Sequence, residues 1–142
     1  MKIYTSYFAR QRKMELEDAS YVSIAVGNPK YPVPYKIVNL KALKPYGIFG
    51  VGAYNEDEYR EKYFARLDRY GVDYIRKEII KAGEGHENVI LMCHEKDKNE
   101  CHRKMFADWW EKNTGEKIEE YGESKTESGE KEKVVYEQLS LF

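Results

Sequence analysis

No stretch of this sequence is apolar for long enough to span a bilayer, which takes about 20 residues. The opening residues 1–6 lack the apolar run of a signal peptide. The chain is therefore expected to work in the cytoplasm, away from membranes. Cysteine is scarce, two in 142 residues. That excludes a disulfide-rich scaffold and suggests free thiols in a reducing cytosol. Net charge is nearly absent at −1, which argues against bulk electrostatic binding of DNA or membranes and leaves a local basic face open. There is no internal repeat. Proline occurs at four positions. Two of them lie in Tyr31–Tyr35, a stretch that cannot be helical because each proline pushes its predecessor into extended geometry.

What remains is a chain with 42 % hydrophobic and 35 % charged residues, enough for one soluble domain with one ordinary core. Its thirteen tyrosines suit amphipathic core edges, and they could also line a pocket or a stacking platform.

Apolar patterning predicts strands at residues 2–8 and 21–26 and a short one near 36–39. Residues 46–54, with three glycines and three aromatics, read as a long loop. Asn55 is a plausible N-cap, with Glu56, Asp57 and Glu58 in the favoured first turn. Tyr59, Tyr63, Leu67 and Tyr70 recur near helical spacing, which predicts an amphipathic helix over 56–70 that Gly71 breaks. A second helix over 72–82 carries Val72, Ile75 and Ile79 on one face and ends at Gly83. A third is stopped by Gly115, with Met105, Trp109 and Lys112 on one stripe and Phe106 and Trp110 beside it. A last edge strand is expected near 117–121. Strands alternating with helices imply an α/β layered domain.

The chain is organised around residues 89–103. Val89–Met92 is a short apolar run after a turn-rich stretch, so it reads as a buried strand. It ends in Cys93, His94 and Glu95. A charged loop follows, then a helix opening near Cys101, His102 and Arg103, for which Asn99 is a possible cap. Both cysteines and two of the three histidines lie here. A strand end that feeds a helix start is where open α/β sheets place ligands, and a helix N-terminus favours anions.

On an extended strand, Cys93 and Glu95 share a side and His94 faces the other. Several chemistries stay open. Cys101 or Cys93 could be a nucleophile, its thiolate stabilised by the helix N-terminus and a neighbouring Arg or His. Glu95 would then serve as acid/base or orient His102 or Arg103, and Arg103 would hold an anionic group through its planar fork. Zinc binding by both cysteines and both histidines is disfavoured, because the spacing is not a familiar one and strand neighbours face opposite ways. A redox disulfide is disfavoured too, since seven residues separate the cysteines. The bland alternative is a Glu95–Arg103 brace with buried, inert thiols. No metal is expected and no cofactor is assigned. At the end of the first strand, Thr5, Ser6 and Arg10 could complete an anion site.

Cys93-x-Glu95 followed by Cys101-His102-Arg103 resembles the signature of the domain-of-unknown-function 488 family, and Ile3–Tyr7 resembles that family's first strand. The likeness extends over roughly residues 1–121. It implies a three-layer Rossmann-like or flavodoxin-like sandwich with a mostly parallel sheet and a site at the strand ends. Carried over by position, Thr5, Ser6, Cys93, Glu95, Cys101, His102 and Arg103 are the site residues, without a settled reaction. The Gly-His common after the first strand in many members of the family is replaced here by Tyr7 and Phe8, so the resemblance does not carry over a shared substrate.

Residues 122–133 contain no apolar side chain and read as a flexible charged linker that reaches about 20 Å on average. Beyond it, Gln138, Leu139, Ser140, Leu141 and Phe142 resemble the bacterial sliding-clamp-binding pentapeptide at all five positions. The resemblance implies that Leu139, Leu141 and Phe142 fill an apolar groove while Gln138 anchors by polar contacts. Docking of residues 134–142 on the chain's own sheet is the alternative. The combined expectation is a bacterial or phage protein, associated with replication or repair. It would act on a nucleic acid or nucleotide-like substrate while tethered to the clamp. A non-catalytic clamp adaptor or competitor, and a small-metabolite enzyme with an incidental tail, are the competing readings.

Overall fold

The computed structural model describes residues 1–48, 55–97 and 101–122. Five strands, β1 (Lys2–Tyr7), β2 (Ala19–Ser23), β3 (Ile37–Asn39), β4 (Asn88–Cys93) and β5 (Glu119–Glu120), form one sheet in the order β3-β2-β4-β1-β5. Every pairing is parallel: Thr5 lies opposite Leu91, Tyr21 opposite Ile90 and Val22 opposite Val38. Three helices accompany it, α1 (Glu56–Tyr70), α2 (Val72–Gly83) and α3 (His102–Thr114). The fold is therefore α/β and Rossmann-like or flavodoxin-like, as the patterning and the resemblance implied.

Strand order explains the layers. Parallel crossovers are right-handed, so connections that shift in opposite directions along a sheet must cross opposite faces. The β3→β4 and β4→β5 connections shift one way, and their helices share a single core. In it Tyr63 and Leu67 of α1, Ile75 and Ile79 of α2, and Phe106, Trp109 and Trp110 of α3 pack on Val22, Val89 and Leu91. The β1→β2 and β2→β3 connections shift the other way. They cover the second face with irregular chain: Phe8, Leu16, Tyr31 and Tyr35 pack on Tyr21, Ile90 and Met92. One outer layer is thus helical and the other is built of loops.

Local chemistry sets the boundaries. Asn55 caps α1 in a full capping box, its side chain accepting from the Glu58 N–H while the Glu58 carboxylate accepts from the Asn55 N–H. Gly71 joins α1 to α2 at φ +86°, a conformation that favours glycine. Gly83 is the last residue of α2, and the left-handed cap falls on Glu84 at φ +51°. Strand β2 begins two residues before the predicted start, where Ala19 pairs with Asn88.

The predicted stripe of α1 needs correction at its end. Tyr70 is 41 % exposed and stacks on Tyr74 with ring centroids 5.2 Å apart. It is the last residue of α1, directly before the Gly71 cap. On α3, Met105, Phe106, Trp109 and Trp110 all pack in the core as expected, and Lys112 at the end of the stripe is exposed. The N-cap of α3 is Cys101, without a side-chain cap bond; residues 49–54, the expected cap Asn99 and the tail from 123 onward lie outside the described residues.

Candidate functional site

A cavity of about 370 Å³ opens at the carboxyl ends of β2 and β4. This is a topological switch point, because the chain leaves β2 toward the loop layer and β4 toward the helical layer. Ala25, Val26 and Gly27 follow β2 along one wall, and Cys93, His94 and Glu95 close β4 along the next. The starts of two helices complete it: Asn55, Glu56 and Tyr59 from α1, and Cys101, His102 and Met105 from α3. Among the described residues that line it there is no lysine or arginine.

The sulfurs of Cys93 and Cys101 are in bonding contact, and both residues are buried. The expectation of two separate free thiols is thus overturned. Sequence spacing misled because the end of β4 and the start of α3 bring Cys93 and Cys101 together in space. The seven intervening residues need not be spanned by straight chain. His102 joins the pair: its Nδ1 is 3.7 Å from Cys101 Sγ, and Cys93, Cys101 and His102 bring one donor atom each within 4.8 Å of the others. The argument that neighbouring residues cannot converge removes only His94. That ring instead donates Nε2–H to the Gly27 carbonyl at 2.6 Å and leans on Phe8.

His102 has a defined tautomer. Its Nε2 lies 2.6 Å from the Ile24 carbonyl. A carbonyl only accepts, so Nε2 carries the hydrogen and Nδ1 offers a lone pair toward Cys101. Burial lowers its pKa to about 4, the bond to Ile24 works against that shift, and the charge of Arg103 adds to it. The ring is neutral at pH 7.

Arg103 is fully buried, and all five of its N–H groups are used within the domain. Nε and Nη2 bind the Glu120 carboxylate at 3.0 and 2.9 Å. Nη1 donates to Cys93 Sγ at 3.1 Å and to the Glu95 carbonyl at 2.6 Å. Nη2 also donates to the Lys96 carbonyl at 3.2 Å, and the guanidinium lies over the Tyr7 ring at 5.5 Å. The proposed role of Arg103 as an anion clamp is therefore corrected: it fastens β4, the following loop and β5 together. Its carboxylate partner is Glu120 and not Glu95. Glu120 carried no signal in the sequence beyond being an acid in a short edge strand.

Of the other expected anion ligands, Thr5 and Ser6 turn inward and Arg10 stays exposed. Thr5 donates to Glu120 at 2.8 Å. Ser6 donates to the buried Gln11 at 3.0 Å. Arg10 lies near Glu15 and over the Tyr121 ring. None of the three lines the cavity.

Glu95 is exposed at the cavity's edge. Together with burial, its charge pushes the Tyr59 hydroxyl up to about 12, while Arg66 opposes the shift. Tyr59 was read only as a core position of α1, yet it forms a wall of the cavity. Its position one turn after a capped helix start, facing a strand end, was the available clue.

No helix of the described residues is long and apolar enough to cross a membrane. No curated protein and no solved structure matches the chain. The family model described as "Domain of unknown function DUF488" matches residues 46–110. That range holds α1, α2, β4 and the start of α3, with both halves of the cysteine motif, and it excludes the first strand with Thr5 and Ser6. The match shows a likeness to the DUF488 family over that part of the chain.

Proposed function

We propose that this chain acts on a nucleic-acid or nucleotide-like group at the Cys93–Cys101–His102 cluster while held to the replication sliding clamp by Gln138–Phe142. The observation that carries the site is the convergence of two sulfurs and one lone-pair nitrogen in a cavity at the strand ends. Glu95 at the rim is the acid/base group. The cavity takes the base or nucleoside part of a substrate, because rings and apolar side chains line it and, among the described residues, no lysine or arginine does. Phosphate affinity is supplied indirectly: tethering raises the local concentration near DNA, so the near-neutral domain needs little affinity of its own. The tail sequence supports the tether through its five matching positions.

Two measurements test this. Fluorescence polarisation of a labelled peptide covering residues 134–142 should show saturable binding to a bacterial sliding clamp, abolished by Leu141→Ala with Phe142→Ala. A flat titration removes the tether. Calorimetric titration of the reduced chain with single-stranded oligonucleotides and nucleosides should give binding that Tyr59→Ala weakens. No heat with any of them removes the substrate class.

A non-catalytic clamp adaptor is the second reading, favoured by the internal saturation of Arg103. If Cys101→Ser and Glu95→Gln leave every cellular effect intact while loss of Leu141 and Phe142 abolishes them, the adaptor is correct.

A further inference from the structure

We propose that the reduced chain binds one zinc-class divalent metal ion through Cys93 Sγ, Cys101 Sγ and His102 Nδ1, with the fourth position open to the cavity. The inference rests on reading this cluster as the chemical centre, and it needs neither the clamp nor a nucleotide substrate.

Four features of the geometry carry it. First, the three donor atoms are already gathered within 4.8 Å of one another. The 3.7 Å between Cys101 Sγ and His102 Nδ1 is close to what two ligands of one tetrahedral ion require, given Zn–S near 2.3 Å and Zn–N near 2.0 Å. Second, the Cα atoms of Cys93 and Cys101 are 7.2 Å apart, wider than the roughly 4.4–6.8 Å of ordinary disulfides. The backbone therefore has room for an ion between the two thiolates.

Third, the surrounding groups orient the ligands as metal sites require. The Nε2–H of His102 is held by the Ile24 carbonyl, which fixes Nδ1 as the free donor. Arg103 donates to Cys93 Sγ at 3.1 Å. Fourth, charge balances. A divalent ion with two thiolates is neutral, and the Arg103 charge is already matched by Glu120. Such a neutral unit suits a buried position. Two sulfurs and one imidazole favour zinc-class ions over magnesium or calcium. All three ligands line the cavity, so a water or substrate atom can take the open position, as in catalytic zinc sites.

The binding step is balanced. Two thiols and one divalent ion give a bis(thiolate) complex and two protons. When the sulfurs are joined as a disulfide they cannot ligate as thiolates. A dithiol reductant must first deliver two electrons and two protons, becoming a disulfide itself.

The test uses the full chain, stripped of metal and reduced with a phosphine. Titration with cobalt(II) should saturate at one equivalent, with sulfur-to-cobalt charge-transfer bands and the intense visible bands of a tetrahedral ion. One equivalent of zinc should abolish them. Cys93→Ser and Cys101→Ser should each lose these bands while circular dichroism shows an intact fold. Should either variant fail to fold, alkylation of the wild-type chain decides: zinc should protect both thiols. Absence of tetrahedral cobalt bands, or unprotected thiols with zinc present, overturns the site. If no metal binds but Cys101→Ser still abolishes substrate binding, the chemical centre stands and the metal alone is wrong.

Discussion

His102 donates its Nε2–H to the carbonyl oxygen of Ile24 across 2.6 Å. A residue at the start of α3 is thereby fastened to the chain just after β2, and the lone pair of Nδ1 is left facing Cys101. This contact converts two distant stretches of sequence into one wall of the cavity.

That burial makes stability depend on pH. The His102 pKa falls from 6.5 to about 4 in the folded, metal-free chain, chiefly by burial. The folded value lies below the unfolded one, so as pH falls the unfolded chain takes up the proton first. The contribution of His102 is fully present above about pH 6.5 and is lost as pH falls toward 4. The total is about 3 kcal/mol, from about 1.4 kcal/mol per pH unit across that window. Urea denaturation at pH 7 and pH 4.5 should show the loss. His102→Gln, which retains an N–H donor for Ile24, should flatten it; an unchanged slope would show that another group is responsible.

The Arg103–Glu120 pair should be sensitive to losing one partner. Glu120→Ala leaves a buried guanidinium without its counter-charge, and the expected cost is about 3–5 kcal/mol in equilibrium unfolding. Arg103→Lys should not restore stability, because an ammonium has three donors against the five in use. A loss below about 1 kcal/mol in Glu120→Ala would mean the pair is not closed.

The two tyrosines of α1 should behave oppositely. Tyr63 is fully buried and its hydroxyl donates to the Leu43 carbonyl at 2.7 Å, so Tyr63→Ala should cost about 3–5 kcal/mol. Tyr70 is largely outside the core, and Tyr70→Ala should stay within about 0.5 kcal/mol. Equal effects would restore the unbroken stripe that simple periodicity predicts.

Removal of residues 138–142 should leave the melting temperature of the domain unchanged while abolishing clamp binding. A melting temperature lowered by several degrees would instead favour docking of the tail on the chain's own sheet.

The contrast between these tyrosines shows how far sequence reaches. Elements were legible where local chemistry decides them. Asn55 with Glu58 marks the start of α1, Gly71 its end, and Val89–Met92 the central strand. The placement of the cysteines was legible for the same reason, since Cys93 ends β4 and Cys101 precedes α3. The partners of each side chain were not. Arg103 finds Glu120 only because β5 pairs with β1, which places an acid from the sheet edge beneath α3. His102 meets Ile24 only because β2 and β4 are neighbours. Both depend on strand order, which no local pattern encodes. The inward turn of Thr5 and Ser6 has the same origin, as their strand end was read as open and the neighbouring chain closes it.

The measurement that most directly tests the central claim is long-range ¹⁵N–¹H correlation on the reduced, metal-free chain at pH 7, with His102 assigned by substituting His86 and His94. The account predicts a neutral His102 in the Nε2–H tautomer, with Nδ1 unprotonated and unchanged as pH falls to 5. A ring that titrates between pH 6 and 7 in mixed tautomers would contradict it, because His102 would then be neither buried against Ile24 nor aimed at Cys101.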